Sequence, residues 1–127
     1  MNNSPGSILI VDDTRLNLEI MKSLLQNDYA IFTAADGLTG LQMAQTEKVD
    51  LILLDINMPG MDGYEVCARL KSDPATENIP VIFVTARNDV TEETKGLALG
   101  AIDYIIKPIS APVVKARVRN HMRMKQF

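Results

Sequence analysis

Five short apolar runs recur along the 127-residue chain, and most are followed by a segment with helical character. Apolar runs of this length are typical of strands that are buried on both faces of a parallel sheet, and parallel strands need helical crossovers between them. The runs predict one α/β domain with a doubly wound sheet. The five strand candidates are residues 8–11, 29–34, 51–54, 81–84 and 104–106.

The segments between the runs predict five helices. Apolar residues at helical spacing predict a first helix over residues 14–26, and the apolar residues of a second helix begin at Leu38. The third and fourth helices are predicted over 64–71 and 91–99, with Gly100 as a C-terminal cap, and Ser110 is expected to cap the fifth. The apolar face of the amphipathic first helix consists of Leu16, Ile20, Met21, Leu24 and Leu25. The second helix is suggested by Leu38, Leu41 and Ala44, and in the third Val66, Cys67 and Leu70 are expected to face inward.

Polar side chains stand directly after four of the apolar runs. Asp12 and Asp13 follow the first run, Asp55 the third, Thr85 the fourth and Lys107 the fifth. Ligands of open parallel sheets bind at the carboxyl ends of the strands, where these side chains are expected to meet. The chemical site is therefore predicted at this edge.

Each of these residues also has an ordinary structural interpretation. Asp13 is a candidate N-cap for a helix that begins at Thr14, and Thr85 is a common residue at a strand end. Lys107 suits a solvated surface, although a cis bond to Pro108 would aim it inward. Against these readings, three clustered carboxylates repel one another unless a cation or Lys107 compensates, and a hard cation such as Mg²⁺ takes oxygen ligands.

Composition narrows the class of protein. The chain is 46% hydrophobic and 23% charged, and its single cysteine, Cys67, excludes an internal disulfide. No apolar run approaches the roughly 18 residues of a membrane span. We expect a cytoplasmic protein that does not enter a membrane.

Charge is distributed unevenly along the chain. Residues 1–106 hold seven basic and sixteen acidic residues, whereas residues 107–127 hold six basic residues and no acidic one. A basic tail can mark nucleic-acid binding, but cations also stabilise the C-terminal end of a helix. We interpret the tail as a linker or dimer helix without direct DNA binding, and we place His121 on its surface.

The polar residues and their neighbours together resemble the receiver domain of bacterial two-component response regulators. The resemblance extends from about Ile8 to Met122 and implies a (βα)5 flavodoxin-like sheet with strand order 2-1-3-4-5. It divides the chain into a disordered tail (1–6), a receiver domain (7–122) and the end of the last helix or the start of a linker (123–127). Its carriers are Ile10 to Asp13, Leu54 to Gly63, Val84 to Ala86, Gly100 to Tyr104, and Lys107 with Pro108.

The resemblance also implies roles for the residues at the carboxyl edge. Asp55 would be the phospho-acceptor, Lys107 and Thr85 would bind the phosphoryl group, and Tyr104 would form a switch pair with Thr85. Mg²⁺ would be the cofactor, and its ligands would be the carboxylates of Asp12, Asp13 and Asp55 and the carbonyl of Asn57. From the residues alone, Tyr104 is either a core aromatic or a ring that moves between inside and outside.

The implied function is a signalling switch and not an enzyme in its own right. A histidine kinase or a phosphotransfer protein would supply the phosphoryl group, and the face of the fourth helix, last strand and last helix would change. Residues 116–121 resemble receivers that are joined to diguanylate cyclases, which implies a C-terminal output domain. A phosphorylation-dependent homodimer is left open, as is the part played by Arg87.

Three other functions fit parts of the pattern. A haloacid-dehalogenase-like phosphatase also forms an aspartyl phosphate, but it needs an Asp where this chain has Asn57. A flavodoxin-like FMN carrier needs a first loop that accepts a phosphate, which Asp12 and Asp13 would repel. A pseudo-receiver would bind partners without phosphorylation, and the complete set of acids, Thr85 and Lys107 argues against it.

Overall fold

The computed structural model describes the backbone of residues 6–86 and 90–125, and the side chains of that part except residues 90–93 and 125. Strands and helices alternate throughout. The strands are β1 (Ser7–Val11), β2 (Ala30–Ala34), β3 (Leu51–Asp55), β4 (Val81–Thr85) and β5 (Asp103–Ile106). The helices are α1 (Arg15–Leu25), α2 (Gly37–Thr46), α3 (Gly63–Lys71), α4 (Val90–Ala98) and α5 (Ala111–Lys125).

The five strands form one parallel sheet in the order β2-β1-β3-β4-β5, which confirms the predicted fold. Every residue of β1, β3 and β4 is buried, because helices cover both faces of the sheet. One face packs against apolar residues of α1 and α5. The other packs against α2 and α3. The reversal of strand order beside β1 leaves the carboxyl ends of β1 and β3 open to a ligand.

The predicted inward face of α1 is partly wrong. The buried residues of the helix are Leu18, Met21 and Leu25, whereas Leu16 is 62% exposed and Ile20 is 40% exposed. These two residues are four apart, so they share the face of α1 that points away from the sheet. Leu38, one of the residues that suggested the second helix, is exposed at the start of α2.

Several local predictions are confirmed. Val66, Cys67 and Leu70 are buried on α3, and the Lys107–Pro108 bond, for which the sequence left the cis form open, is cis. Gly100 follows α4 with a φ of 101°, the left-handed conformation of a C-terminal cap. Within the described part of the chain, no helix is both long and apolar enough to cross a membrane.

Candidate functional site

Three strands deliver the central side chains of the site. Asp12 follows β1, Asp55 ends β3, and Lys107 follows β5. The Nζ atom of Lys107 lies 3.3 Å from Asp12 Oδ2 and 3.3 Å from Asp55 Oδ1. The structure therefore brings together the acids and the amine that the sequence places after separate strands.

Asp12 is fully buried and is held by several donors. The backbone N–H of Thr14 donates to Asp12 Oδ1 at 2.9 Å, and the side-chain amide of Asn17 lies 3.3 Å from Oδ2. Lys107 adds a charged contact to the same carboxylate. A buried charge needs such partners, so this carboxylate has a fixed position and orientation.

Asp13 is not the helix cap that one interpretation predicted. The N-cap of α1 is Thr14, whose side chain makes no capping hydrogen bond, and the N–H of Thr14 is satisfied by Asp12 instead. Asp13 is exposed, yet one oxygen atom from each of Asp12, Asp13 and Asp55 lies within 4.8 Å of the others. These three acids form the acidic group of the site.

Among the described carboxylates, Asp55 has the most strongly shifted pKa. Burial raises its pKa, the neighbouring Asp12 raises it further, and Lys107 and the Asn57 N–H lower it only in part, so that the pKa is about 6. The Asn57 N–H donates to Asp55 Oδ1 at 3.3 Å. Asp55 is therefore ionised at neutral pH but close to its proton-binding range.

Thr85 lies beside this group at the end of β4. It is buried, and its carbonyl oxygen accepts the Lys107 N–H at 2.7 Å, which fixes the backbone of β5 where the lysine leaves it. Asp55 pairs with Val84 in the sheet, so Thr85 is one residue further toward the open edge.

Asn57 is exposed, and the predicted use of its carbonyl as a metal ligand stays a prediction.

Tyr104 is on β5 but is not part of the acidic group. Its ring is buried against Phe83, with centroids 5.8 Å apart and an angle of 46° between the planes. The ring of Tyr64 on α3 contacts the same Phe83 ring edge-on, with centroids 5.5 Å apart. The ring is in the inward position, which agrees with both interpretations of Tyr104, a core aromatic and a ring that moves between inside and outside.

Sequence reasoning missed Asn17. The residue lies in the first turn of α1, and its side-chain amide nitrogen lies 3.5 Å from Asp12 Oδ1 and 3.3 Å from Asp12 Oδ2. A polar residue four positions after Asp13 on an amphipathic helix would return to the edge where the helix begins, and this spacing was the available signal.

The surface interpretation of His121 is wrong. The His121 side chain is only 18% exposed, and its Nε2 atom lies 2.9 Å from Asp103 Oδ2. Arg117 contacts the same carboxylate at 2.9 Å. Burial raises the pKa of Asp103, but hydrogen bonds from His121, the Tyr104 N–H and Arg117 outweigh it and lower that pKa.

Arg87 lies outside the described residues.

A buried carboxylate beside a lysine, two further carboxylates and a hydroxyl residue can bind a cation and accept an electrophile. The sequence profile of the response regulator receiver domain matches residues 8–119. The chain belongs to the response regulator receiver domain family. The receiver fold explains why the polar residues follow separate strands and meet at one edge.

Relatives and solved structures agree with this assignment. The receiver is 44% identical over 123 residues to a probable cyclic di-GMP phosphodiesterase of Vibrio cholerae, covering 97% of this chain and 28% of that protein. It is 44% identical over 119 residues to the response regulator PleD of Caulobacter vibrioides, covering 93% and 26% respectively. A putative response regulator from Chloroflexus aurantiacus superposes with a TM-score of 0.89 at 32% identity, covering 94% of this chain and 99% of that one.

The chemotaxis protein CheY4 of Vibrio cholerae has the same fold, with a TM-score of 0.87 at 28% identity over 91% of this receiver and 97% of that chain. The receiver spans about a quarter of the length of the first two relatives, 28% and 26%. The activities in those relatives' names belong to proteins that are much longer than this chain.

Proposed function

We propose that this receiver is a phosphorylation-dependent signalling switch and that Asp55 accepts the phosphoryl group. One observation carries the proposal: the buried Asp55 carboxylate shares the Lys107 ammonium with Asp12 at 3.3 Å. A carboxylate in this position can attack phosphorus and form an acyl phosphate. The alternative that Asp55 is only a turn residue does not account for a carboxylate buried beside two others.

The acidic group fits a magnesium ion. Mg²⁺ takes oxygen ligands and usually needs one or two protein carboxylates besides waters, and the oxygens of Asp12, Asp13 and Asp55 lie within 4.8 Å of one another. We propose these three carboxylates and the Asn57 carbonyl as its ligands. When bound, Mg²⁺ would neutralise negative charge on the phosphoryl group during transfer.

The protein's own residues would divide the work of transfer. A carboxylate oxygen of Asp55 attacks the phosphorus in line as the bond from phosphorus to the donor's imidazole nitrogen breaks, and the imidazole keeps the electron pair. The Lys107 ammonium is close enough to Asp55 to bind a phosphoryl oxygen as a point charge. The buried Thr85 would contribute its hydroxyl to another oxygen.

The response would then pass to the face of α4, β5 and α5. A switch of this kind shifts an equilibrium between two conformations, here through Thr85 and the ring of Tyr104. We propose that the chain catalyses only its own phosphorylation and dephosphorylation. The cytoplasmic location stays a prediction.

The partners follow from the same chemistry. A histidine kinase or a phosphotransfer protein would supply the phosphoryl group, and the length of the relatives favours a C-terminal output domain. In that arrangement residues 7–122 are the receiver and 123–127 are the end of the last helix or the start of the linker, after the short tail 1–6, most of which lies outside the described residues. A homodimer that forms on phosphorylation is a further option, and α5 could provide its contact surface. We propose no direct DNA binding by this chain.

Intact-protein mass spectrometry tests the proposal. Incubation with a small acyl phosphate and Mg²⁺ should add one phosphoryl mass, and a chelator should prevent the addition. A haloacid-dehalogenase-like phosphatase would instead hydrolyse excess donor over many turnovers with little protein labelled. A pseudo-receiver would gain no mass in either condition, and that result would overturn the proposal.

A further inference from the structure

A glycine in α4 lies directly against the ring of Tyr104. A Cβ atom built on Gly96 would overlap the Tyr104 hydroxyl oxygen, and it would lie 2.7 Å from Tyr104 Cζ and 2.8 Å from Phe83 Cδ2. Real Cβ atoms essentially never lie closer than 3.0 Å to heavy atoms of other, non-adjacent residues. Even an alanine at this position therefore requires the ring or the helix to move.

The backbone does not explain why glycine is present. Among the described glycines, those with positive φ are Gly6, Gly60 and Gly100, so Gly96 has a conformation that any residue adopts. Glycine is also among the least favourable residues inside a helix. Gly96 leaves empty the space that a side chain would fill, and the hydroxyl end of Tyr104 occupies that space.

Other contacts oppose a shift of the whole helix. The Gly96 carbonyl accepts the Ala101 N–H at 3.2 Å, and the Leu97 carbonyl accepts the Gly100 N–H at 3.0 Å, a pair of bonds that closes the end of α4. The Lys95 ammonium lies 4.3 Å from the centre of the Tyr64 ring. By comparison, the Tyr104 ring can leave by rotation about its own side-chain bonds. The ring is therefore the part expected to move when the space is filled.

We propose that Gly96 is the positioning residue for Tyr104: its missing side chain provides the space for the inward ring and couples the ring to α4. The inward ring and a side chain at position 96 exclude each other. The role in signalling rests on the proposed function, because phosphorylation at Asp55 would be transmitted to α4 through this contact.

The test follows the Tyr104 ring directly in the full chain. Tyrosine rings are labelled with ¹³C, the Tyr104 signals are assigned by their loss in Tyr104→Phe, and a soluble gadolinium chelate reports exposure. In the parent, the Tyr104 ring signals should be protected from paramagnetic relaxation by the gadolinium chelate. In Gly96→Ala, the same signals should be strongly relaxed by the chelate, because the ring has become exposed. The matched control is Leu97→Ala on the same helix, which alters an exposed side chain and should leave the ring protected.

Phosphorylation separates this proposal from the proposed function. Gly96→Ala should still gain one phosphoryl mass from a small acyl phosphate with Mg²⁺, but its Tyr104 signals should no longer shift on phosphorylation as those of the parent do. A protected ring in Gly96→Ala would overturn the assignment of Gly96. A parent that gains no phosphoryl mass would overturn the proposed function, and the exposure of the ring would still decide the role of Gly96.

Thermal melts decide the case in which Gly96→Ala folds poorly. In the parent background the substitution should lower the melting temperature because of the overlap. In a Tyr104→Ala background, Phe83 can move into the vacated space, so Gly96→Ala should leave the melting temperature unchanged or raise it, since alanine is the better helix former. An equal decrease in both backgrounds would contradict the proposal.

Discussion

The ammonium group of Lys107 lies 3.3 Å from Asp12 Oδ2 and 3.3 Å from Asp55 Oδ1, so one cation bridges two buried carboxylates. Asp12 and Asp55 repel each other, and a single positive charge compensates only part of that repulsion. Burial and the repulsion from Asp12 outweigh the attraction to Lys107, because the pKa of Asp55 is raised to about 6 despite the contact with Lys107. The site therefore opposes folding when no further cation is bound, which leads to the first two predictions.

Without divalent metal, the stability of the protein should fall as pH rises from about 4 to 6. The folded pKa of Asp55 is about 6, above the value of about 4 expected in the unfolded chain, so the folded state holds more protons in this window. The contribution of Asp55 to the free energy of unfolding is fully present below the pKa that Asp55 has in the unfolded chain. It is lost as pH rises through the pKa that Asp55 has in the folded protein. Its size is at most roughly 3 kcal/mol, from a shift of about two units.

Urea unfolding in chelator between pH 4.5 and 7 measures this dependence, with Asp55→Asn as the matched control. The variant should lose most of the slope, and equal slopes in both proteins would refute the assignment. Asp103 does not interfere, because its pKa is lowered. Its contribution is present above the unfolded pKa and is lost only as pH falls through the lower folded pKa.

The substitution Asp13→Ala should raise the melting temperature in chelator and abolish the response to Mg²⁺. It removes one of three repelling charges and a proposed cation ligand, and Asp13 makes no cap contact that would be lost. In the parent, Mg²⁺ at its dissociation constant should add about 0.4 kcal/mol of stability, and a tenfold excess about 1.4 kcal/mol.

Thermal melts of parent and Asp13→Ala, each with Mg²⁺ and with chelator, measure both effects. A helix cap would give the opposite sign in chelator, a loss of about 0.5–2 kcal/mol. A variant that melts lower without metal and keeps its Mg²⁺ response would show that the metal site is misassigned.

Ile20 should contribute to docking of the phosphohistidine partner. It is exposed on α1 and lines a groove of about 480 Å³ together with Asn17, Lys107 and Ile109. Lys107 lines this groove and also lies 3.3 Å from Asp55 Oδ1, and the donor imidazole must come close to Asp55 for transfer. Ile20→Glu should slow phosphorylation by a kinase that phosphorylates the parent, because it places a charge on an apolar contact surface.

The comparison uses two donors and a control on another helix. Phosphorylation of Ile20→Glu by a small acyl phosphate should stay near the parental rate, because that donor needs no docking surface. Leu38→Glu changes an equally apolar exposed residue on α2 and should react normally with both donors. Equal slowing by both donors would show that Ile20 acts on the site itself and not on docking.

The strands and the principal site residues were predictable because they depend on order along the chain. A buried parallel strand is recognisable in the sequence as a continuous apolar run. The carboxyl ends of these runs then predict where the polar residues of the site meet, namely Asp12, Asp55, Thr85 and Lys107. The directions of helix faces were less predictable. Leu16 and Ile20 fit an amphipathic pattern as well as Leu18 and Met21 do, and only the packing of α1 on the sheet decides which pair is buried.

Long-range contacts between side chains could not be read from the sequence. His121 is eighteen positions from Asp103, and their contact at 2.9 Å depends on how α5 returns along β5. Gly96 showed the same limitation. It carries no chemistry of its own, and its importance becomes visible only when the Tyr104 ring is found in the space beside it.

The most direct test of the central claim is to locate the phosphoryl group. The parent is treated with a small acyl phosphate and Mg²⁺, the acyl phosphate is reduced with borohydride, and the digested peptides are sequenced by mass spectrometry. We predict that the reduced product, homoserine, replaces Asp55 alone and that Asp55→Asn yields none. Homoserine at Asp12 or Asp13, or labelling that persists in Asp55→Asn, would contradict the account.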